Sequence, residues 1–316
     1  MYNFEFILEP YSGSKSRHTC PNCGKNSCFS LYIHIETSEP LAYNVGRCNR
    51  EIKCKYHYTP KQYFRDNKID RSIQKWNKEE NDFVIDLSKK ESSFIETEIF
   101  KSSLKGYDKN NFISFLIKDL GEQKTSRLID KYFVGTSKRW EGATVFWQID
   151  IEGKIRTGKV ILYNPDSGKR IKAPESYITW VHKLLNLEEY NLNQCLFGEH
   201  LLKGNSAKPL AIVESEKTAI IASAYFEEFI WLATGGISSL TPEKCIALKN
   251  RNVVLYPDSN GFEKWEQKAK ILRKELNCKI QISDLLERKI PAEFRNEGYD
   301  LADFLININS KELDIK

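Results

Sequence analysis

The sequence predicts an α/β protein whose last third forms a mostly parallel sheet covered by helices. Three observations support this prediction. After Pro209, short apolar runs alternate with longer helical patterns; before it, β-like runs follow one another directly; and five of the eight cysteines lie near the N-terminus. Alternating strands and helices are typical of a parallel sheet, whereas consecutive strands indicate an antiparallel one. We therefore expect an α/β C-terminal domain, an α+β middle subdomain and a small N-terminal ribbon.

Changes in composition divide the chain into four segments. The cysteine-rich ribbon takes residues 1–66, and a polar, highly charged linker follows at 67–93. The middle subdomain takes residues 94–207, and the parallel-sheet domain takes 208–316. With 316 residues, of which 41% are hydrophobic, the chain is long enough for each larger unit to have a core.

The charge balance limits how the chain can contact nucleic acid. It has 48 basic and 43 acidic residues, a net charge of only +5, so any such contact must use local basic patches. No apolar run approaches the roughly 20 residues of a membrane span, and the first residues lack the layout of a signal peptide. We expect a cytoplasmic protein without a membrane partner.

The middle segment combines helical and β-like patterns. Apolar residues recur at helical spacing between Phe94 and Tyr132 and predict two or three short helices. Two strands at Thr144–Asp150 and Lys159–Tyr163, separated by the turn residues Glu152 and Gly153, predict an antiparallel meander.

Acidic residues follow two of the predicted parallel strands. Glu214 ends the run Leu210–Val213, and Asp258 follows Val253–Tyr256. Because ligands bind at the carboxyl ends of strands in open sheets, these side chains should face one crevice, and Asp300 and Asp303 could join them. Such a cluster suits Mg²⁺ and phosphoryl or nucleotidyl transfer. Any single acid is as readily explained as a helix cap or first-turn residue. The other predicted elements are a strand at Ile230–Ala233 and helices at Glu216–Phe229, Pro242–Lys249 and Phe262–Leu276.

Taken together, these residues resemble the toprim family, which is shared by bacterial primases, topoisomerases of types IA and II and some nucleases. IVESEKTA contains Glu214, LATGGISSL contains the glycine turn, and LYPDSNG contains Asp258 and Asn260. The resemblance covers the last third of the chain and implies a Rossmann-like fold. It implies that Glu214 and Asp258 are catalytic, and that Glu214, Asp258, Asn260 and Asp303 hold Mg²⁺ or Mn²⁺. Asn260 stands where the family usually has a second Asp, and its amide brings no charge.

The middle segment is similar in layout to the subdomain that precedes the toprim domain in bacterial replicative primases. The matching runs are FWQIDIEGKIRTGKVILYN, SGKRIKAP and QCLFGEHLL. In that family the basic face of the subdomain guides single-stranded template, so the resemblance supports a nucleic-acid contact here. Lysine and arginine neutralise phosphates, and nearby aromatic side chains offer stacking surfaces. The alternative is an ordinary sheet with a solvated basic face. The candidate contacts are Lys154, Arg156, Lys159, Lys169, Arg170 and Lys172.

The N-terminal cysteines have the spacing of a zinc site. Cys20 and Cys23 form a CPNCG knuckle, and Cys48 and Cys54 supply the second pair. Four thiolates would close a structural Zn²⁺ site and fold a module too small to stabilise itself. The gap in the second pair is wide, so His57 or Cys28 could replace one ligand. Bacterial primases carry a zinc module in the same place.

The sequence therefore predicts a primase-like nucleotidyltransferase that binds single-stranded DNA and nucleotides, similar to toprim proteins carried on bacterial mobile elements. The chain has no G-x-x-x-x-G-K-[ST] loop, so unwinding would need a separate helicase. Two alternatives stay open: a non-catalytic nucleic-acid-binding toprim protein and a toprim nuclease.

Overall fold

A computed structural model describes residues 5–13, 16–50, 53–67, 91–187, 189–259, 261–290 and 299–307. The chain divides into two compact units, Met1–Ile85 and Asp86–Lys316. Most of the predicted linker at 67–93 lies outside the described residues, and so does Asn260. In the described ranges, no helix is both long and apolar enough to cross a bilayer.

The N-terminal unit is a small antiparallel ribbon. Its strands are β1 (Phe6–Leu8), β2 (Phe29–His34), β3 (Gly46–Cys48) and β4 (His57–Tyr58), hydrogen-bonded in that order. Helix α1 (Pro60–Asp66) follows, and Thr59 and Gln62 form a capping box at its start. The buried core of this unit consists of three cysteines with Phe29 and Leu31, so it offers little apolar area for stability.

The larger unit begins with three short helices, as predicted. They are α2 (Thr97–Ser103), α3 (Asn111–Leu120) and α4 (Glu122–Tyr132). Asn110 caps α3, because its side-chain oxygen accepts hydrogen bonds from the N–H groups of Phe112 and Ile113 at 3.1 and 3.2 Å. The apolar faces of α3 and α4 are buried in the main core.

The predicted antiparallel meander is also confirmed. Strands β5 (Gly135–Thr136), β6 (Thr144–Ile149), β7 (Ile155–Ile161) and β8 (Ile178–Trp180) pair in chain order, and the short helix α5 (Val181–Leu184) follows. Beyond β7, an isolated bridge joins Tyr163 to Arg170. This bridge closes the hairpin that carries the SGKRIK run.

The C-terminal third contains the predicted parallel sheet. Its strands are β9 (Leu210–Val213), β10 (Ile230–Ala233), β11 (Asn252–Leu255) and β12 (Lys279–Ile282), in the order β10-β9-β11-β12 and all parallel. The helices are α6 (Glu216–Tyr225), α7 (Phe262–Leu276), α8 (Leu285–Lys289) and α9 (Leu301–Asn307). The mixed α/β fold class is therefore confirmed.

One predicted helix, at Pro242–Lys249, is wrong. Only a 3₁₀ turn at Ile246–Leu248 forms there. The buried positions of this turn, Cys245 and Leu248, are three residues apart, which suits a 3₁₀ turn, while Ile246 stays 60% exposed. The amine of Lys244 is also buried and donates to the carbonyl oxygen of Thr234 at 2.7 Å.

The segments on either side of residue 207 share one hydrophobic core. Phe112 and Phe146 from the middle segment lie in the same cluster as Ala211 and Trp231 from the parallel sheet. The hydroxyl of Tyr132 donates to the carbonyl oxygen of Trp231 at 3.1 Å. The two segments thus form one compact unit, and a domain boundary at 207/208 stays a prediction.

Candidate metal and nucleic-acid sites

The four predicted zinc cysteines come together in the N-terminal unit. The sulfur atoms of Cys20, Cys23, Cys48 and Cys54 lie within 4.8 Å of one another. The sulfurs of Cys20 and Cys54 are 3.7 Å apart, close to the separation that two thiolates bound to one tetrahedral zinc ion would have. The geometry therefore fits a single Zn²⁺ ion.

The two alternative zinc ligands have other contacts. The sulfur of Cys28 is 3.8 Å from that of Cys48, but its thiol donates to the carbonyl oxygen of Lys25 at 3.2 Å. The ring Nε2 of His57 hydrogen-bonds the hydroxyl of Tyr32 at 3.0 Å. This arrangement favours Cys54 as the fourth ligand.

The thiols of this cluster differ in acidity for local reasons. A backbone N–H of Lys25 and nearby donors lower the pKa of Cys23 to about 6, and the guanidinium of Arg50 is 3.6 Å from its sulfur. Burial raises the pKa of Cys20 and of Cys48 to about 11. A bound cation is what would allow all four sulfurs to be thiolates at once.

In the larger unit, the predicted acids line one cavity at the carboxyl end of the parallel sheet. Its volume is about 970 Å³, and Glu214, Asp258, Asp300 and Asp303 contribute to its wall. Glu214 directly follows β9, and its carbonyl oxygen accepts the N–H of Gly235 at 2.8 Å. Asp300 and Asp303 cap the start of α9, where each carboxylate accepts the backbone N–H of the other residue. The strand ends and this cap bring the acids to one wall.

Two carboxyl groups of this wall are costly to ionise without a bound cation. Burial raises the pKa of Asp258 to about 9, and the carboxylates of Asp300, Glu214 and Asp303 add to the effect. Burial also raises the pKa of Glu214, although a backbone N–H of Ile237 opposes it. Carboxyl groups that resist ionisation in a cleft are what a divalent cation stabilises as anions.

Lys217 is the cation that the sequence prediction missed at this wall. Its amine lies 3.6 Å from an oxygen of Asp300 and 3.4 Å from an oxygen of Asp303. Burial opposes the charge on Lys217, but Asp300 and Asp303 raise its pKa. Lys217 therefore partly neutralises two of the four acids, and it leaves Glu214 and Asp258 without a cation in hydrogen-bonding contact among the described residues.

Among the described residues, the acidic side chains of this wall do not form a complete metal-coordination site by themselves. In the described part of the chain, the cysteine cluster is the only group of three or more His, Cys, Asp or Glu side chains with ligand atoms close enough to hold one ion. Mg²⁺ usually binds through one or two carboxylates, keeps several waters and also uses substrate phosphates. An open site in which Glu214 and Asp258 have no hydrogen-bonded cation among the described residues fits that mode of binding, whereas it would not fit a buried structural ion.

Basic residues from the β7–β8 hairpin line the same cavity. Lys169, Arg170 and Lys172 line it together with Lys159. The amine of Lys159 is already engaged, 3.0 Å from an oxygen of Glu216 and 3.2 Å from the carbonyl oxygen of Gly235. Three of the six predicted phosphate contacts, Lys169, Arg170 and Lys172, therefore line the cavity and form no buried ion pair among the described residues.

The structure does not bring Lys154 and Arg156 to this cavity. The Nε of Arg156 pairs with the buried carboxylate of Asp150 at 2.7 Å, and both cations lie 4.8 Å from the ring centre of Phe94. Asp150 also accepts the N–H groups of the turn after β6. These contacts give Arg156 a structural role in the turn.

Two family profiles match parts of the chain. The family described as "Domain of unknown function (DUF6371)" matches residues 110–259, and the family described as "Zinc beta-ribbon finger, putative" matches residues 4–69. No curated protein matches the chain. The N-terminal unit, with its four clustered cysteines, is a zinc-ribbon region.

Three solved structures similar to this chain are primase fragments. The primase fragment of the bacteriophage T7 primase-helicase protein is 15% identical, with 88% of this chain and 90% of that chain covered and a TM-score of 0.37. The Aquifex aeolicus primase, in its zinc-binding and RNA polymerase domains, is 13% identical, with 64% and 60% covered and a TM-score of 0.38. The RNA polymerase domain of the Mycobacterium tuberculosis DnaG primase is 10% identical, with 66% and 79% covered and a TM-score of 0.39.

Proposed function

We propose that this chain is a toprim-type, primase-like nucleotidyltransferase that acts on single-stranded DNA in the cytoplasm. The observation that carries the proposal is the cavity itself, which strand-end acids line together with the lysines and arginine of the β7–β8 hairpin. A site that is lined by both carboxylates and cations can hold a metal ion, nucleotide phosphates and a template backbone together.

In this proposal, Glu214 and Asp258 hold Mg²⁺ or Mn²⁺, with Asp303 and Asn260 as further ligands. The ion would supply charge stabilisation to the reacting phosphates. Lys217 fixes Asp300 and Asp303 at the start of α9 through its two ion pairs. Lys169, Arg170 and Lys172 bind phosphates and orient the strand in the cavity.

The zinc ribbon has a separate role in this proposal. Cys20, Cys23, Cys48 and Cys54 hold Zn²⁺ and give the small core its stability. A separate helicase would supply the unwound template, and the setting would be a bacterial mobile element.

The direct test is template-directed oligonucleotide synthesis with Mg²⁺ or Mn²⁺ and nucleoside triphosphates. The wild-type chain should make product, and Glu214→Gln and Asp258→Asn should each reduce the rate at least about 100-fold, since each removes a charge from the metal site. Asp166→Asn is a matched control, because Asp166 is exposed and pairs with Lys118 outside the cavity. No product from wild type that still binds DNA would overturn the primase proposal.

Two other functions use the same residues and are separated by the same assay. Strand scission that both variants lose would identify a toprim nuclease. Binding without synthesis or scission would identify a non-catalytic module. In that last case, Asn260→Asp, which restores the family's usual carboxylate, should increase Mn²⁺ affinity.

A further inference from the structure

A second basic surface lies at the other end of the parallel sheet. Two adjoining pockets share Lys131 and Lys208; Lys124 and Arg127 line the first, and Lys203 lines the second. Lys208 comes just before β9, whereas Glu214 comes just after it. A strand of four residues spans about 13 Å, so this surface is distinct from the acid-lined cavity. We call these two pockets the amino-end groove.

The cations of the amino-end groove outnumber the carboxylates that line it. Among the described residues, none of these five side chains takes part in an ion pair. Glu227 is the only acidic residue that lines either pocket in the described ranges, and its contact with Lys208 is through the backbone carbonyl oxygen, at 3.1 Å. The groove therefore presents a net positive charge to solvent.

Lys131 lines both pockets of the groove and lies close to a second cation. It is half-buried, and its amine donates to the hydroxyl of Ser223 at 2.7 Å. Burial lowers the pKa of Lys131, the positive charge of Lys208 lowers it further, and the carboxylate of Glu227 partly opposes the shift. Holding two cations together in a concave site costs free energy that a bound anion would recover.

Aromatic rings lie in and beside the groove. The amine of Lys124 lies 6.0 Å from the ring centre of Tyr225, and the ring of Phe133, 38% exposed, packs against His200 at 5.2 Å. Phe229, partly exposed, lines the second pocket. Cations that neutralise phosphates beside rings that can stack on bases are typical of surfaces that bind single-stranded nucleic acid.

We propose that the amino-end groove is a second binding site for single-stranded nucleic acid, separate from the catalytic cavity. Arg127, Lys131 and Lys208 contact the phosphates, and the flanking rings contact the bases. A strand that occupies both sites would be held at both ends of the sheet. An acidic protein segment is the rival occupant, and the flanking rings favour nucleic acid over it.

The test uses the full chain and a fluorescent oligo(dT) of about 20 nucleotides, with binding measured by anisotropy over a series of salt concentrations. Arg127→Met/Lys208→Met removes two exposed cations from the groove. Lys270→Met/Lys274→Met is the matched control, since it removes two exposed lysines of α7 that line neither the groove nor the cavity. Both pairs change the net charge equally.

The groove variant should lower the slope of log affinity against log salt by about 1.4, because each phosphate contact on a single strand contributes about 0.7. The control pair should leave the slope unchanged. Lys131→Met should lower it by about 0.7, with circular dichroism to confirm that the variant folds. Equal slopes for the groove and control pairs would overturn the proposal.

Two further experiments distinguish this binding site from the alternative explanations. If polyglutamate binds through the groove and oligo(dT) binding is insensitive to Arg127→Met/Lys208→Met, the occupant of the groove is an acidic protein segment. That result would overturn the proposal. Lys169→Met/Lys172→Met tests the cavity independently. If the groove variant lowers the slope and this cavity variant does not, the second site stands while the proposed template path through the cavity fails.

Discussion

The amine of Lys159 is held between a carboxylate and a carbonyl at the edge of the cavity. Its partners are an oxygen of Glu216 at 3.0 Å and the carbonyl oxygen of Gly235 at 3.2 Å. The N–H of Gly235 in turn donates to the carbonyl oxygen of Glu214. Lys159 therefore joins β7 to the turn that carries the proposed catalytic acid, and its contribution is to hold that turn in place.

We expect Lys159→Met to lower the free energy of unfolding by about 3–5 kcal/mol, because it leaves the buried carboxylate of Glu216 without its cation. Lys118→Met is the control, since the Lys118–Asp166 pair is exposed and should contribute less than about 1 kcal/mol. Urea unfolding of both variants measures the difference. Similar stabilities for the two variants would show that the Lys159 pair has no structural role.

Asp258, in contrast to Lys159, is a group whose ionisation is unfavourable until a cation binds. We expect Asp258→Asn to raise the free energy of unfolding by about 1–2 kcal/mol at pH 8 in the presence of a chelator. Burial and the carboxylates of Asp300, Glu214 and Asp303 raise the pKa of Asp258 to about 9, so folding at this pH must protonate a group that is ionised in the unfolded chain, a cost that the amide does not have. Added Mn²⁺ should stabilise wild type and leave the variant nearly unchanged. A variant less stable than wild type under chelation would contradict this explanation of the raised pKa.

At the scale of elements, the 3₁₀ turn at Glu199–Leu202 connects the meander to the parallel sheet. The carboxylate of Glu199 accepts the N–H of Ile151 at 3.3 Å and that of Leu196 at 3.2 Å. Burial raises the pKa of Glu199 to about 7 in spite of these donors. The connection thus depends on a carboxyl group that titrates near neutral pH.

The pH dependence follows from the sign of that shift. A carboxyl whose pKa is higher in the folded state binds more protons there than when unfolded, so its contribution to stability is present below about pH 4.5 and is lost as the pH rises to about 7. Glu199→Gln does not titrate. We expect urea unfolding between pH 5 and 8 to give a stability that falls with pH more steeply for wild type than for the variant. Parallel pH profiles would rule out this role for Glu199.

Elements with a strong local pattern were predictable, and those fixed by distant contacts were not. Helix α7 has the bounds that its amphipathic pattern predicts, and Glu214 follows β9 as its apolar run requires. The sequence did not identify Lys217 as part of the site, because its partners Asp300 and Asp303 are more than 80 positions away along the chain. Composition also could not separate Arg156, which pairs with Asp150, from the cavity-lining Arg170.

At the scale of the whole molecule, the two units depend on different sources of stability. The larger unit has an extensive apolar core that spans both of its sheets, whereas the ribbon has a five-residue core that includes three cysteines. Small modules of this kind usually need a metal to fold. Removal of Zn²⁺ should therefore unfold only the ribbon.

We expect about one equivalent of Zn²⁺ in the purified chain, and we expect a chelator to abolish amide-exchange protection in residues 16–50 while protection in β9 and α7 persists. Cys54→Ser should reduce the zinc content sharply. Cys278→Ser is the control, because Cys278 is buried beside α7 in the other unit. Full protection of the ribbon after metal removal would contradict a zinc-dependent fold.

We propose that the acids at the carboxyl ends of β9 and β11 hold a divalent ion, and the direct test is Mn²⁺ titration monitored by electron paramagnetic resonance. We predict one bound Mn²⁺ per chain in the wild type, weakened at least about tenfold by Glu214→Gln and by Asp258→Asn and unchanged by Asp166→Asn. Equal Mn²⁺ affinity in wild type and all three variants would contradict the claim.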